Sequence, residues 1–418
     1  MPTKIFKKPR KSQFGIVKGT PSVNALAVRA EMLKANNLSL ALKLVLENPG
    51  GTSRATISSQ TGITRTTSSR LVDELVEMNL LEELAPSTDA GRGRPPVFLT
   101  PKPKSAIALG LEINVSRLSA QVIDLTGNVL AEKTVDGDFA DSDSVKTMTR
   151  LRKLADKVIA QLDNESMFVG TGLAIPGVIS ETDLLTAPNL GWQNQDLDTL
   201  LSPLSDLDVK VVRNEADLGA YAVSTPRPGV KEGPASFIYI SGEVGIGGGI
   251  IIDHQPIPGT HGWSGEIGHV STDPNGPKCR CGSRGCLEAY IGQRSLLKRS
   301  GLSENATFTD LLELADQGDN KASKAIKEGG LALGRTLAAA INLLDVPTVV
   351  LGGSVARIGN LLKPTALKEM NKRLLQSKWA TPEIIIAEDS EQLAACGAAH
   401  MVLQELVDDP VGLNFEFN

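Results

Sequence analysis

No apolar run of about 18 residues occurs in this chain, so no membrane-spanning helix is expected. The first dozen residues are basic but lead into no apolar segment, which argues against a secretory signal. Cysteine is scarce: four in 418 residues, three of them crowded together. So thin a supply does not make a disulfide framework, and metal ligation in a reducing cytoplasm fits better. Aromatics make up only 4% of the chain, yet 41% of it is hydrophobic, a globular composition with ample core. The length is too great for one ordinary domain, and two or three are expected.

Charge is unevenly placed. The first hundred residues carry 14 Lys and Arg against 8 Asp and Glu, a net of +6, within a chain whose total is −5. A basic head on an acidic body points the head toward a polyanion, with a merely solvated basic face as the alternative.

The head reads as a winged helix-turn-helix. Leu38–Glu47 has near-helical apolar spacing and stops at Pro49-Gly50-Gly51, a breaker cluster. Ser53 can cap a short helix to about Gln60, and Thr61-Gly62 supplies a tight turn. A second helix is expected from near Thr64 to Met78, with Thr64, Ser68, Leu71, Leu75 and Met78 as its buried stripe. That leaves Arg65, Thr66, Ser69 and Arg70 on the exposed first turns, where a recognition helix meets base edges. Two strands should follow, Leu80–Leu84 and Val97–Thr100, flanking "APSTDAGRGRPP". Arg92 and Arg94 in that segment suit a narrow minor groove; an ordinary exposed loop is the bland reading.

Residues 1–37 read as a basic arm or helix, 38–100 as the head, and Pro101–Ser105 as a linker. Beyond it, strands such as "SFIYIS" and "TVVLGG" mix with helices at Ser144–Leu162, Ala322–Leu344 and Glu391–Val407. This is an α/β pattern.

The motifs "GLAIPGVI", "APNLGW", "GIGGGIII", "GTHGWSGEIGHV", "CRCGSRGCLEAY" and "VVLGGSVA" occur in an order that resembles the ROK family of repressors and sugar kinases. The resemblance spans essentially the whole chain, the head and its "GRGRP" included. It implies an actin-like, hexokinase-like body of two α/β lobes over 106–418, dividing near 212, with the C-terminal helix returning to the first lobe. It also implies sugar contacts from Asn214, Glu215, Glu266, His269 and Glu288. Carboxylates and an amide are apt partners for vicinal hydroxyls.

Kinases of this fold carry Asp-x-Gly-Gly-Thr on the first hairpin, where glycine amides approach phosphate. Here the aligned residues are Glu112, Ile113, Asn114, Val115 and Ser116, and the second phosphate loop reads Glu243-Val244-Gly245. The usual base, Asp, is replaced by Glu215, which could still act as one. Together these departures predict a sugar-binding cleft with no ATP-dependent kinase activity. "VVLGGSVA" matches the family's adenosine-side glycines, though a close-packed strand-to-helix turn accounts for it as well.

His269, Cys279, Cys281 and Cys286 supply one nitrogen and three thiolates, a set suited to one closed, structural Zn²⁺ per chain. Free structural cysteines are the alternative, and Cys396, far from the others, reads as a buried small residue. His269 belongs to both the metal set and the sugar motif, so the metal is expected to shape the pocket. The expectation for function is a cytoplasmic, sequence-specific repressor of double-stranded operator DNA, a homodimer or dimer of dimers, released by a sugar or sugar derivative. A sugar kinase with a DNA-binding appendage, and a repressor governed by a protein partner, are the rivals.

Overall fold

Helix α1 (Val23–Glu47) runs 25 residues without a break, through the point where arm and head were divided. The computed structural model describes residues 23–85, 96–163, 166–242, 244–303, 306–379, 381–387 and 392–412. After α1 come β1 (Thr52–Ser53), α2 (Arg54–Thr61), α3 (Arg65–Glu77), β2 (Leu81–Glu83) and β3 (Phe98–Pro101). Ser53 caps α2 by accepting from the Thr56 amide, and Gly62 ends it at φ 74°. The three short strands form an antiparallel sheet in the order β1-β3-β2.

One expectation for α3 is corrected. Thr64 is not part of the buried stripe: it is exposed and caps the helix, accepting from the Thr67 amide. The buried face is Ser68, Leu71, Val72 and Leu75, with Met78 half-buried beyond it. The Thr64 hydroxyl turns back to the open end of the helix to close its first turn, and here that end faces solvent.

The segment 101–105 is tied at both ends. Pro101 pairs with Leu81, while the Ser105 carbonyl accepts from the Met167 amide. The body begins with β4 (Ala106–Ile113), β5 (Arg117–Asp124) and β6 (Val129–Asp136), then α4 (Ser144–Ile159) and β7 (Met167–Ala174). A small ribbon of β8 (Val178–Ile179), β9 (Asp183–Ala187) and β10 (Trp192–Asp196) follows, then α5 (Leu197–Leu200), β11 (Val209–Arg213) and α6 (Glu215–Ser224). The second lobe opens with β12 (Phe237–Gly242), β13 (Ile246–Ile252) and β14 (Gln255–Pro256). Helices α7 (Glu288–Ile291), α8 (Gln293–Arg299), α9 (Phe308–Asp316) and α10 (Asn320–Leu344) lead to β15 (Thr348–Leu351), α11 (Gly353–Arg373), β16 (Glu383–Ile386) and α12 (Leu393–Asp408).

The two large sheets repeat one plan. Their orders are β11-β7-β4-β5-β6 and β14-β13-β12-β15-β16, each with antiparallel strands on one side and parallel ones on the other. Each lobe has its own apolar core, the first around Leu109, Leu151 and Leu173, the second around Ile240, Leu333 and Leu351.

Helix α12 packs on the first lobe, and glycines set how closely. Gly110 and Gly172 are paired on adjacent strands; a Cβ on either would lie 1.9 or 2.4 Å from the carbonyl oxygens of Ala395 and Ala398. The same helix meets α1. Leu42, Val45 and Leu46 share a core with Leu403, Leu406 and Val407, and with Ile57, Leu71 and Leu75 of the head. Head and first lobe are thus joined by buried apolar surface. Among the described residues no helix is long and apolar enough to cross a membrane.

Candidate effector cleft, metal cluster and DNA-facing helix

Between the lobes lies a cavity of about 350 Å³. Its floor is the start of α6. Asn214 caps that helix, accepting from the Ala216 amide at 2.8 Å and donating to the Gly177 carbonyl at 3.0 Å. The amide is thereby fixed in orientation before any ligand arrives. Next to it, Glu215 has one carboxylate oxygen sealed from solvent without a hydrogen-bond partner. Burial, with Glu112, Glu266 and Asp217 nearby, pushes its carboxyl up to about 8. A sealed oxygen without a partner is costly unless a ligand supplies the missing bond.

The opposite wall comes from the loops after β13. Glu266 stands at the mouth; partial desolvation raises its carboxyl above the usual range, opposed by His269 and helped by Glu288. Glu288 accepts from the Ile246 amide at 3.2 Å. Gly245 makes that approach feasible, since a Cβ there would lie 2.9 Å from the Glu288 carboxylate and 2.5 Å from the Asn189 amide. All five residues expected from sequence to contact the effector line this one cavity.

Three lining residues were not identified as contacts from the sequence. Asn189 lies inside a quoted motif, and Arg280 sits between the first two cysteines, where the metal pattern drew attention to its neighbours. Arg117 carried no motif at all. Its guanidinium donates to Glu112 at 3.0 Å, an ion pair whose carboxylate side chain is 1% exposed. That pair occupies the hairpin where the kinase pattern expects phosphate-binding glycines. Asn114 also donates to Glu112 at 3.4 Å, and Val115 is buried. Glu243 lies outside the described residues. In the "VVLGGSVA" segment, a Cβ on Gly352 would fall 2.1 Å from the Tyr239 hydroxyl, so close packing suffices to require that glycine.

At the edge of the cleft, the ligand atoms of His269, Cys279, Cys281 and Cys286 lie within 4.8 Å of one another. Cys281 and Cys286 sulfurs are 3.7 Å apart, and His269 Nδ1 is 3.9 Å from Cys279 Sγ. Tetrahedral zinc with bonds near 2.3 Å to sulfur requires edges of about 3.8 Å, so the donor set fits a metal of that size. Burial pushes the Cys279 thiol up to about 12; for Cys281 burial is outweighed by the Ser283 amide and the neighbouring thiols, and its proton is the more easily lost. His269 Nε2 points the other way and lies 3.9 Å from Glu266. One ring therefore joins cluster and cleft. Cys396 is apart, packed beside His400 on α12.

In the head, Arg65, Thr66 and Arg70 are exposed on α3, and Ser69 is half-buried. Arg54 is different: it is held by Asp73 and Glu83. Arg92 and Arg94, expected in the wing, lie outside the described residues.

The profile of the ROK family matches residues 108–405. The chain belongs to the ROK family. A xylose repressor from Bacillus spizizenii is 28% identical over 90% of this chain and 97% of its own length. Among solved structures, a ROK family transcriptional regulator described as a homologue of the E. coli MLC protein covers 90% of this chain and 97% of its own at TM-score 0.72, with 24% identity. A ROK family glucokinase from Streptomyces griseus, solved with glucose and AMPPNP, aligns at TM-score 0.58 and 25% identity over 98% of its length but only 71% of this chain. The ROK body is common to repressors and kinases, and the repressor matches extend over most of the present chain.

Proposed function

We propose that this ROK protein is a cytoplasmic transcriptional repressor whose hold on operator DNA is governed by a carbohydrate in the interlobe cleft. The observation that carries the reading is the shared core of α1 and α12. It places an exposed helix-turn-helix on the same buried surface as the helix that backs α6, where Asn214 and Glu215 stand. A ligand that moves one lobe against the other must strain or relieve that joint. Coupling of this kind amounts to ~1–3 kcal/mol in typical allosteric proteins.

In this reading Arg65, Thr66, Ser69 and Arg70 face the major groove, with Arg92 and Arg94 in the adjacent minor groove. A homodimer would set two such helices about one helical turn apart on a pseudo-palindrome. Residues 38–100 would be the DNA-binding unit, approached by α1 from the 1–37 arm, and 106–418 the sensor, with 101–105 as the join. Asn214, Glu215, Glu266, His269 and Glu288 would hold the sugar hydroxyls. His269 and the three cysteines would hold one Zn²⁺, which supplies rigidity and, with four protein ligands, leaves no open position for water.

The Glu112–Arg117 pair speaks against kinase chemistry, since it sets a buried carboxylate on the hairpin where an anionic phosphate would have to bind. Glu215, its carboxyl raised by burial, could donate to a sugar hydroxyl as well as accept from one. The test is selection of genomic DNA fragments by the zinc-loaded protein, followed by challenge with sugars and sugar phosphates. An enriched palindrome released by one compound is expected. ATP-dependent phosphorylation of any sugar in the panel would favour the kinase, and a palindrome that no compound releases would favour a protein partner.

A further inference from the structure

A second groove, of about 1130 Å³, adjoins the cleft and shares Gly177 and Asn214 with its wall. Its most distinctive feature is an aromatic pair in a chain that has only 3 Trp. His261 and Trp263 stand with ring centroids 4.7 Å apart, both exposed. The indole is nevertheless fixed. Its Nε1 donates to the Ile179 carbonyl at 3.0 Å, and the loop that carries it is closed by the Ser264 amide on the Pro258 carbonyl at 3.1 Å.

The groove's charges narrow the ligand class. Lys43, Lys210, Arg213 and Lys231 face it, but so do Glu47, Glu181, Asp217, Glu405 and Asp408. Four bases against five acids give no excess positive charge for a polyanion, and so many charged groups do not suit a lipid chain. A neutral polyol suits both features. Hydroxyls pair with either sign of side chain, while the C–H face of a pyranose lies on an indole.

Resting on the sugar reading of the cleft, we infer that the natural effector is an oligosaccharide or extended glycoside. One ring would occupy the cleft, whose 350 Å³ is near the lower end of ligand-pocket volumes. The adjoining ring would pass over the hydrogen-bonded Asn214–Gly177 wall that the two cavities share and stack on Trp263. Lys43 and Glu47 of α1 and Asp408 of α12 also line the groove, so a longer chain would lie along the seam between head and body.

Calorimetric titration of the zinc-loaded full chain tests this with matched sets: xylose, xylobiose and xylotriose; glucose, cellobiose and maltose; N-acetylglucosamine and its β-1,4 dimer. In the set that binds, the disaccharide should bind roughly tenfold more tightly than its monosaccharide, the scale of one aromatic contact. Trp263→Ala should abolish that advantage and leave monosaccharide affinity within about twofold, and Trp263→Phe should retain most of it. Equal affinity for both lengths, or equal weakening of both by Trp263→Ala, overturns the inference and leaves the single-sugar cleft standing. Binding of no sugar in any set overturns the cleft reading and the inference together.

Discussion

Cys279 Sγ lies 3.5 Å from Glu288 Oε1, so a thiol of the metal cluster touches a carboxylate of the cleft. With His269 reaching Glu266 from the same cluster, two of the cleft's acidic groups lie against the proposed metal's ligands. Purified protein should therefore carry one equivalent of zinc, measurable by elemental analysis. Cobalt substitution should give the thiolate charge-transfer absorption of a sulfur-rich tetrahedral site. Chelation should lower Tm by about 5 °C or more and weaken sugar binding along with it. Loss of metal with no change in sugar affinity would separate the two sites.

The parts of this architecture that were readable in sequence share one property: local chemistry dictates them. Ser53, Gly62 and the apolar spacing of Leu71 and Leu75 announce the head because caps and periodicity act within a few residues. The cysteine spacing likewise announces its cluster. Thr64 was misplaced because a cap and a stripe position share the same helical spacing. Helix α11 was not anticipated at all, since it starts at Gly352-Gly353 and runs through Pro364, two signals that ordinarily stop a helix. Arg117 and the α1–α12 joint were invisible for other reasons. The joint depends on pairing across distant segments, which no local pattern encodes. Arg117 pairs with Glu112 only five residues away across the β4–β5 hairpin, but one charged residue in a strand carries no motif that announces such a pair.

Glu215 gives a prediction with a definite sign. Its carboxyl is held near 8 in the folded chain against an ordinary value of 4.5, so the folded state binds the proton more tightly than the unfolded one. The associated stability is fully present below about 4.5 and is lost as pH rises through about 8. Glu215→Gln should flatten this decline. Thermal melts at fixed ionic strength between pH 5 and 8 check it, Asp217, raised to about 7, contributing a smaller fall of the same sign. A decline of equal steepness in the variant would assign the effect elsewhere.

On the DNA side, Arg65→Ala and Arg70→Ala remove exposed side chains and should leave Tm almost unchanged. Each should weaken binding to the selected operator. A contact to a base edge costs ~1–3 kcal/mol and relaxes preference at one position, whereas a phosphate contact weakens all sequences alike and reduces the salt slope by about 1. Binding isotherms at several salt concentrations, on the operator and on single-base variants, distinguish these cases. Arg54→Ala is the contrasting variant. Its guanidinium is tied to Asp73 and Glu83, so its loss should register first in the stability of the head.

The joint between head and sensor can be tested through two neighbours on α1. Lys43 forms an ion pair with Asp408 at 2.7 Å, but both side chains are substantially exposed, so Lys43→Ala should cost about 1 kcal/mol or less. Leu42, fully buried, faces the core shared with α12, and Leu42→Ala should cost roughly 2–5 kcal/mol. If the shared core transmits the sugar signal, a variant still folded at assay temperature should bind operator yet respond less to sugar, because a loosened joint passes on less strain. Calorimetry adds an independent reading: the native chain's head and first lobe should melt in one cooperative transition, and Leu42→Ala should begin to split it. Two well-separated transitions in the native chain, with sugar shifting only the sensor's, would mean that the head hangs freely and that release of DNA works by some route other than this packed seam.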